Sequence, residues 1–453
     1  LLAALVRSDV PGVVWPPVSS GASATLAALL LHLEETQWIA QAELAAEQRR
    51  QLVVLVEHAA RHSPHFRRSL TRAHVHPRDL ATPEGLRQVP VLGRRDLQSA
   101  GSELYCTDVP PSHLPLEETR TSGSTGEPVV VKRTAVDQLF WSAMTIRDHL
   151  WHERDFSKRL SVIRATVQAY SRVASWGPPM SLLFATGPSQ RIPITTSVAQ
   201  QLDWLLEFKP DNLMIYPATL DALARHCQRQ HVALPGLRHI RTIGETLPST
   251  VRELASDVFG AKVEDVYSSQ EMGVIAIECP SSGLYHVMGE ALIVEVLDEA
   301  GRPCKDGEVG RVVITALHNF ATPLIRYDIG DYAEVAGPCP CGRGLPTLRR
   351  ILGRERNLIV MPDGTRHWPL VGFTRFREIA PIRQYQFIQH DRERIEVRLV
   401  SDEPLSPAQE ADLRAVIQGA LGHPFAVEFT YFAGRIPRGP GEKFEEFVCK
   451  VVS

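Results

Sequence analysis

The chain has 453 residues, enough for one large domain and a smaller one. It is 44% hydrophobic and 22% charged, and its 49 basic residues against 52 acidic ones leave a net charge of −3. That balance speaks against a general role on nucleic acid or an anionic membrane surface, so neither is an expected partner.

In chain order, ATLAALLLHLEE reads as a first helix. Its apolar run Leu26 to Leu31 is far too short to span a bilayer and lacks the flanks of a secretory signal. A cytoplasmic setting is therefore expected. QAELAAEQRRQLVVLVEHAARH has apolar residues at helical spacing and no Gly or Pro, which predicts a second helix broken by Ser63-Pro64. After Glu118 the texture changes. The short β-branched runs VVVKRT, LMIY, HIRTIG, ALIVEVLD and RVVITAL alternate with the helical stretches SVAQQLDWLLEF and TLDALARHCQRQ. Such alternation predicts a large α/β domain with β-sheets flanked by helices.

From about residue 354 the pattern changes again. QYQFIQHD and RIEVRLV predict a strand pair around Asp391-Arg392, SPAQEADLRAVIQGAL a helix capped by Ser406, and AVEFTYF another strand. The expected organisation is an N-terminal domain over 1–353 and a small α+β C-terminal domain over 354–453.

The sharpest local signal is Thr121-Ser122-Gly123-Ser124-Thr125-Gly126, followed by Glu127-Pro128. Consecutive hydroxyl and glycine residues expose backbone N–H groups that can wrap phosphate oxygens. No Gly-Lys-Ser/Thr closes the loop, so it is not a Walker loop, and alone it reads equally well as a surface loop. Other segments follow in order: IGETLP (243–248), YSSQEMG (267–273), RYDIGDY (326–332), GRERN (353–357) and IPRGPGEKF (436–444). Together they resemble the adenylate-forming superfamily of acyl-CoA synthetases, peptide-synthetase adenylation domains and luciferases. HAARHSPHFR, PLIRYDIGD, the Cys-x-Cys-Gly-Arg stretch and the IPRGPG-x-KF ending are most similar to its phenylacetate–CoA ligase branch.

The resemblance implies roles at matching positions. Thr121 to Gly126 would hold the β- and γ-phosphates of ATP. Gly244, Glu245, Thr246 and Tyr267 would line the nucleotide. Glu271 would orient Mg²⁺, a hard cation that wants carboxylate oxygen. Asp331 would accept from the ribose hydroxyls, and Arg354 would help hold the nucleotide. Lys443 would stabilise negative charge as the substrate carboxylate attacks the α-phosphorus. Arg356 would be the hinge about which a mobile C-terminal domain turns between two half-reactions at one cleft. Gln270 and Ser268 stand where the family usually has Thr and Gly, which puts one phosphate or magnesium contact and the pocket width in question. Taken singly, Asp331 reads as a turn former and Lys443 as a solvated surface charge.

Phe140, Trp141, Trp176, Tyr216, Ala218, Ser268 and Gly273 are candidate walls of an acyl pocket, by their order along the family; each aromatic also suits core packing. An aromatic-lined pocket would fit an aryl or arylacetic acid.

The chain has 7 cysteines, an odd count that does not suggest a disulfide framework. Cys279, His286, Cys339 and Cys341 form a closed four-ligand set of the structural zinc type, although their spacings are not those of zinc fingers. Unlinked thiols near turns are the bland alternative, and metal-bound relatives on this branch weigh against it.

Three functions remain open. The chain is an acyl-CoA ligase, an adenylating enzyme that passes its acyl group to a carrier protein or an amine, or a non-catalytic relative. Glu271, Asp331 and Lys443 argue against the third, and no CoA-specific motif separates the first two.

Overall fold

The computed structural model describes residues 7–120, 129–354, 358–367, 376, 379–401, 403–437, 444 and 446–451. Two compact units emerge. One comprises Leu1–Leu247 with Leu254–Leu352, the other Pro248–Glu253 with Gly353–Ser453.

The first unit begins with helices α1 (Gly21–Thr36), α2 (Gln41–His62) and α3 (Pro64–Ala73). The Ser63-Pro64 break works in both directions. Ser63 ends α2, and its hydroxyl accepts from the Phe66 N–H to cap α3, with Pro64 at the first helical position where no N–H is needed. Leu52, Leu55, Val56 and Ala59 of α2 and Phe66 and Leu70 of α3 share a core with Leu317, Phe320 and Ile325. In α1, Leu26, Leu30 and Leu33 are buried while Leu31 points to solvent. No described helix is long and apolar enough to cross a membrane.

Strands β1 (Leu116–Arg120) and β2 (Val130–Thr134) form an antiparallel pair on either side of 121–128. They are followed by helix α4 (Ala135–Trp151), N-capped by the Thr134 hydroxyl. The remaining strands of this unit make one twelve-stranded sheet. Its parallel part runs through β3 (Leu160–Arg164), β5 (Ser189–Pro193), β6 (Asn212–Ile215), β7 (His239–Ile243) and β8 (Lys262–Ser269), with β4 (Ser171–Val173) antiparallel at the edge. Helix α5 (Val198–Phe208) links β5 to β6, α6 (Pro217–Gln230) links β6 to β7, and α7 (Ser249–Phe259) links β7 to β8. These are the crossovers that parallel strands require. Beyond β8 the sheet turns antiparallel through β9 (Gly273–Glu278) and β10 (Tyr285–Val287). It ends with β11 (Leu292–Leu297), β12 (Val309–Ala316), β13 (Tyr327–Ala336) and β14 (Thr347–Arg354). The expected α/β architecture is what the chain adopts.

The second unit contains a short hairpin, β15 (Ile359–Val360) with β16 (Arg366–His367), and a four-stranded sheet. β17 (Ile382–Gln389) pairs antiparallel with β18 (Arg394–Ser401), and β19 (Ala426–Tyr431) runs parallel to β18. β20 (Phe447–Cys449) runs parallel to β17. Helix α8 (Pro407–Leu421) starts at a capping box in which Ser406 and Gln409 satisfy each other's backbone N–H. Its Leu413, Ile417 and Leu421 join Phe387, Val397 and Leu399 of the sheet in one core.

Candidate active site

Thr121, Ser122, Gly123, Ser124, Thr125 and Gly126 lie outside the described residues, as do Arg356, Lys443 and the side chain of Arg354. The other candidate positions lie in the first unit.

β8 and β9 are joined by a tight turn in which the Ser269 hydroxyl accepts from the Met272 N–H at 3.0 Å, and Ser269 pairs with Gly273. Gly273 takes φ +76°, a left-handed conformation that a side chain would strain. The turn exposes Gln270 and buries Glu271 to 7% exposure. Among the described residues the Glu271 carboxylate has no hydrogen-bonding or ion-pairing partner. A buried carboxylate is costly without a compensating charge, so its donor chemistry fits a hard cation such as Mg²⁺.

Two residues before the turn, a bulge between Tyr267 and Ser268 reorients β8. The Tyr267 hydroxyl donates to Asp331 Oδ2 at 2.8 Å. Asp331 lies on β13 just after Gly330, whose N–H donates to Asp328 Oδ1 at 2.9 Å and whose φ is +79°. This local turn inside the strand fixes the backbone that presents Asp331.

The IGETLP segment follows β7. Gly244 has φ +76°, and a Cβ there would stand 2.8 Å from Tyr216 Cε1, so the backbone packs directly on the tyrosine ring. The Glu245 carboxylate accepts from the Ala218 N–H at 2.9 Å. Tyr216 and Ala218, expected in the acyl pocket, thus share a wall with Gly244 and Glu245, expected at the nucleotide. Thr246 is exposed.

The aromatic candidates separate. Trp141 packs on Gly273, where a Cβ would stand 3.3 Å from its Cγ, and under the Arg133 guanidinium, 4.2 Å from its ring centroid. Phe140, one residue earlier on α4, stacks on His318 at 3.8 Å and 10°. Burial, helped by His113, pushes the His318 imidazole down to about 4. Trp176 belongs to the core instead: it is 4% exposed, packs on His149 and Phe156, and donates its indole N–H to the Lys158 carbonyl at 2.8 Å. Arg133 and His318 were not among the expected site residues. The signal for Arg133 was a charge inside a β-branched run just after the phosphate-type loop, with Asp137 four residues on.

Cys279, His286, Cys339 and Cys341 come together, with their ligand atoms all within 4.8 Å of one another. Adjacent antiparallel strands achieve this: Cys279 follows β9, His286 lies on β10, and the cysteine pair precedes β14, which pairs with β10. Cys339 Sγ is 3.7 Å from Cys279 Sγ, and Cys341 Sγ is 3.3 Å from His286 Nε2. A tetrahedral ion with bonds of ~2.3 Å to sulfur and ~2.0 Å to nitrogen sets these edges at about 3.8 and 3.5 Å. Two edges of the set thus already have close to the length that zinc sets, and the three thiols and one imidazole are its donor chemistry. Burial pushes the Cys279 thiol up, but hydrogen bonds from Ser281, Ser282 and His286 outweigh it and bring it to about 5, favouring the thiolate. Arg343 joins this cluster to the N-terminal helices: Nη1 meets Cys341 Sγ at 3.6 Å and Nε donates to Gln37 Oε1 at 2.8 Å.

Residues 111–321 match the family model described as AMP-binding enzyme. The chain is 24% identical over 352 residues to a phenylacetate–coenzyme A ligase of Thermus thermophilus, covering 73% of this chain and 75% of the relative. It is 26% identical over 337 residues to the phenylacetate–coenzyme A ligase of Escherichia coli, covering 70% and 73%. A solved 2-hydroxyisobutyryl-CoA ligase shares the fold with a TM-score of 0.72 over 92% of both chains, at 20% identity. The chain belongs to the adenylate-forming superfamily. Within it, the chain is a member of the phenylacetate–CoA ligase-like branch and an AMP-forming carboxylate ligase, activating a carboxylic acid through an acyl-adenylate.

Proposed function

We propose that the carboxylic acid is an aryl or arylacetic acid and that the acyl group passes from AMP to CoA. The observation that carries this reading is the meeting of Tyr216 and Ala218 with Gly244 and Glu245, which puts an aromatic wall beside the segment that family resemblance assigns to the nucleotide. The names of the relatives lend support to both substrate and acceptor. Transfer to a carrier protein or an amine is the alternative outcome of the same experiment.

In this proposal Asp331, oriented by Tyr267, accepts from the ribose hydroxyls. Glu271 holds Mg²⁺, which when bound supplies positive charge to the phosphates. Thr121 to Gly126 cradle the phosphates, Arg354 assists at the nucleotide, Lys443 steadies charge in the first half-reaction, and Arg356 is the hinge; these last roles rest on resemblance alone. Ser268, half-buried beside Tyr267, belongs to the acyl side. Zinc at Cys279, His286, Cys339 and Cys341 would be structural, since four protein ligands leave no open position for substrate. A cytoplasmic setting is part of this reading and accords with an odd count of 7 cysteines, which does not suggest a disulfide framework.

The experiment is pyrophosphate release across a panel of aryl, arylacetic and short aliphatic acids, with and without CoA. Aryl or arylacetic acids should give the highest kcat/KM, and CoA should convert a single turnover into many. A preference for aliphatic acids would overturn the substrate class, and indifference to CoA would redirect the acceptor to a carrier protein or an amine.

A further inference from the structure

β2 leaves the phosphate-type loop and carries Arg133, which is 1% exposed. Burying a guanidinium is costly unless its donors are satisfied. Here Nε donates to Asp137 Oδ2 at 2.7 Å, Nη2 lies 2.7 Å from the same oxygen, and Nη1 donates to the Gln270 carbonyl at 3.1 Å. Its flat face lies over Trp141, and a Cβ on Gly273 would come within 3.4 Å of Nη2. The residue before it is pinned as well. The Lys132 N–H donates to Thr322 Oγ1 at 2.9 Å, and the Lys132 carbonyl accepts from Asn319 Nδ2 at 3.0 Å.

Gln270 is the peptide neighbour of Glu271; its side chain is exposed while its carbonyl is engaged inward by Arg133. The rigid fork of Arg133 therefore ties the strand leaving the loop to the hairpin tip that presents Glu271. A lysine carries the charge but cannot hold Asp137 and Gln270 in this fixed plane. We propose that Arg133 is a positioning residue that keeps Glu271 in register with the phosphate-binding strand, and thereby sets the Mg²⁺ requirement of adenylate formation. This inference rests on the proposed role of Glu271.

The test uses the full chain and three variants, Arg133→Lys, Asp137→Asn and Glu271→Gln. Mg²⁺ is titrated at saturating ATP and acid, and amide hydrogen exchange is followed over 268–273. Arg133→Lys should raise the Mg²⁺ needed for half-maximal adenylate formation roughly tenfold, with KM for the acid nearly unchanged and faster exchange at the hairpin tip. Turnover of preformed acyl-AMP should be unaffected. Asp137→Asn should move both readouts the same way by less, and it carries the test alone if Arg133→Lys does not fold. A shift with Glu271→Gln but wild-type Mg²⁺ dependence and exchange in the other two overturns the inference alone, as does a uniform loss of rate without a Mg²⁺ shift. Wild-type Mg²⁺ dependence in Glu271→Gln overturns the reading of Glu271 and the inference with it.

Discussion

The Tyr267 hydroxyl donates to Asp331 across two strands that are not neighbours in the sheet, β8 and β13. A hydrogen bond to a charged acceptor contributes about 1.5–3 kcal/mol, but here its larger effect is to aim the carboxylate. Tyr267→Phe keeps the ring and removes the hydroxyl that makes this bond. The expected outcome is a several-fold rise in KM for ATP with KM for the acid unchanged. A rise confined to the acid would place Tyr267 on the acyl side.

Gly273 faces both a backbone and a packing constraint. An alanine there must adopt φ +76° and push against Trp141 and Arg133. Gly273→Ala should destabilise the protein by about 1–3 kcal/mol and slow adenylate formation through the hairpin tip. Thermal melting together with burst kinetics checks this, and an unchanged melting temperature would show that the hairpin relaxes freely.

His318 supplies a pH dependence. Its folded value of about 4 lies below the unfolded histidine value, so between them the unfolded chain binds a proton that the folded chain does not. Stability is therefore full above pH ~6.5, falls as pH drops towards about 4, and levels off below; the loss is on the order of 3 kcal/mol. His318→Phe removes the titration while keeping a ring against Phe140. Denaturant unfolding at pH 7 and pH 5 should show a smaller difference for the variant; equal differences would reassign the acid sensitivity to other groups.

For the cysteine–histidine cluster, protein purified without added metal should contain about one zinc per chain, and chelation should lower its melting temperature. Less than ~0.1 equivalent, with the three thiols freely modifiable, would contradict it. Serine at Cys339 should lose the metal without abolishing adenylate formation by the remaining folded protein.

The strands and helices that the sequence made legible are those whose periodicity is local: α2, α8 and the β-branched runs that became β6, β7, β11 and β12. β3 and β5 were missed because LSVIR and SQRIP interleave polar residues, and parallel strands are recognised by their neighbours. The Cys279–His286 and Cys339–Cys341 pairs were legible as donors, but their meeting depends on β9, β10 and β14 lying side by side. Tyr267 and Asp331 were each readable through motifs, yet their contact was not. Trp176 resembled a pocket residue only by its order in the chain; Phe156 and His149 enclose it. Arg133 carries no motif, because its importance comes from a carbonyl 137 residues away.

Acid-dependent exchange of labelled pyrophosphate into ATP isolates acyl-adenylate formation, since exchange requires reversible formation of the adenylate and no acceptor. The expected exchange needs Mg²⁺ and an aryl or arylacetic acid, proceeds without CoA, and is lost in Lys443→Ala while that variant still turns over preformed acyl-AMP. Exchange that is absent with every acid, or cleavage of ATP to ADP instead of AMP, would contradict acyl-adenylate formation by this chain.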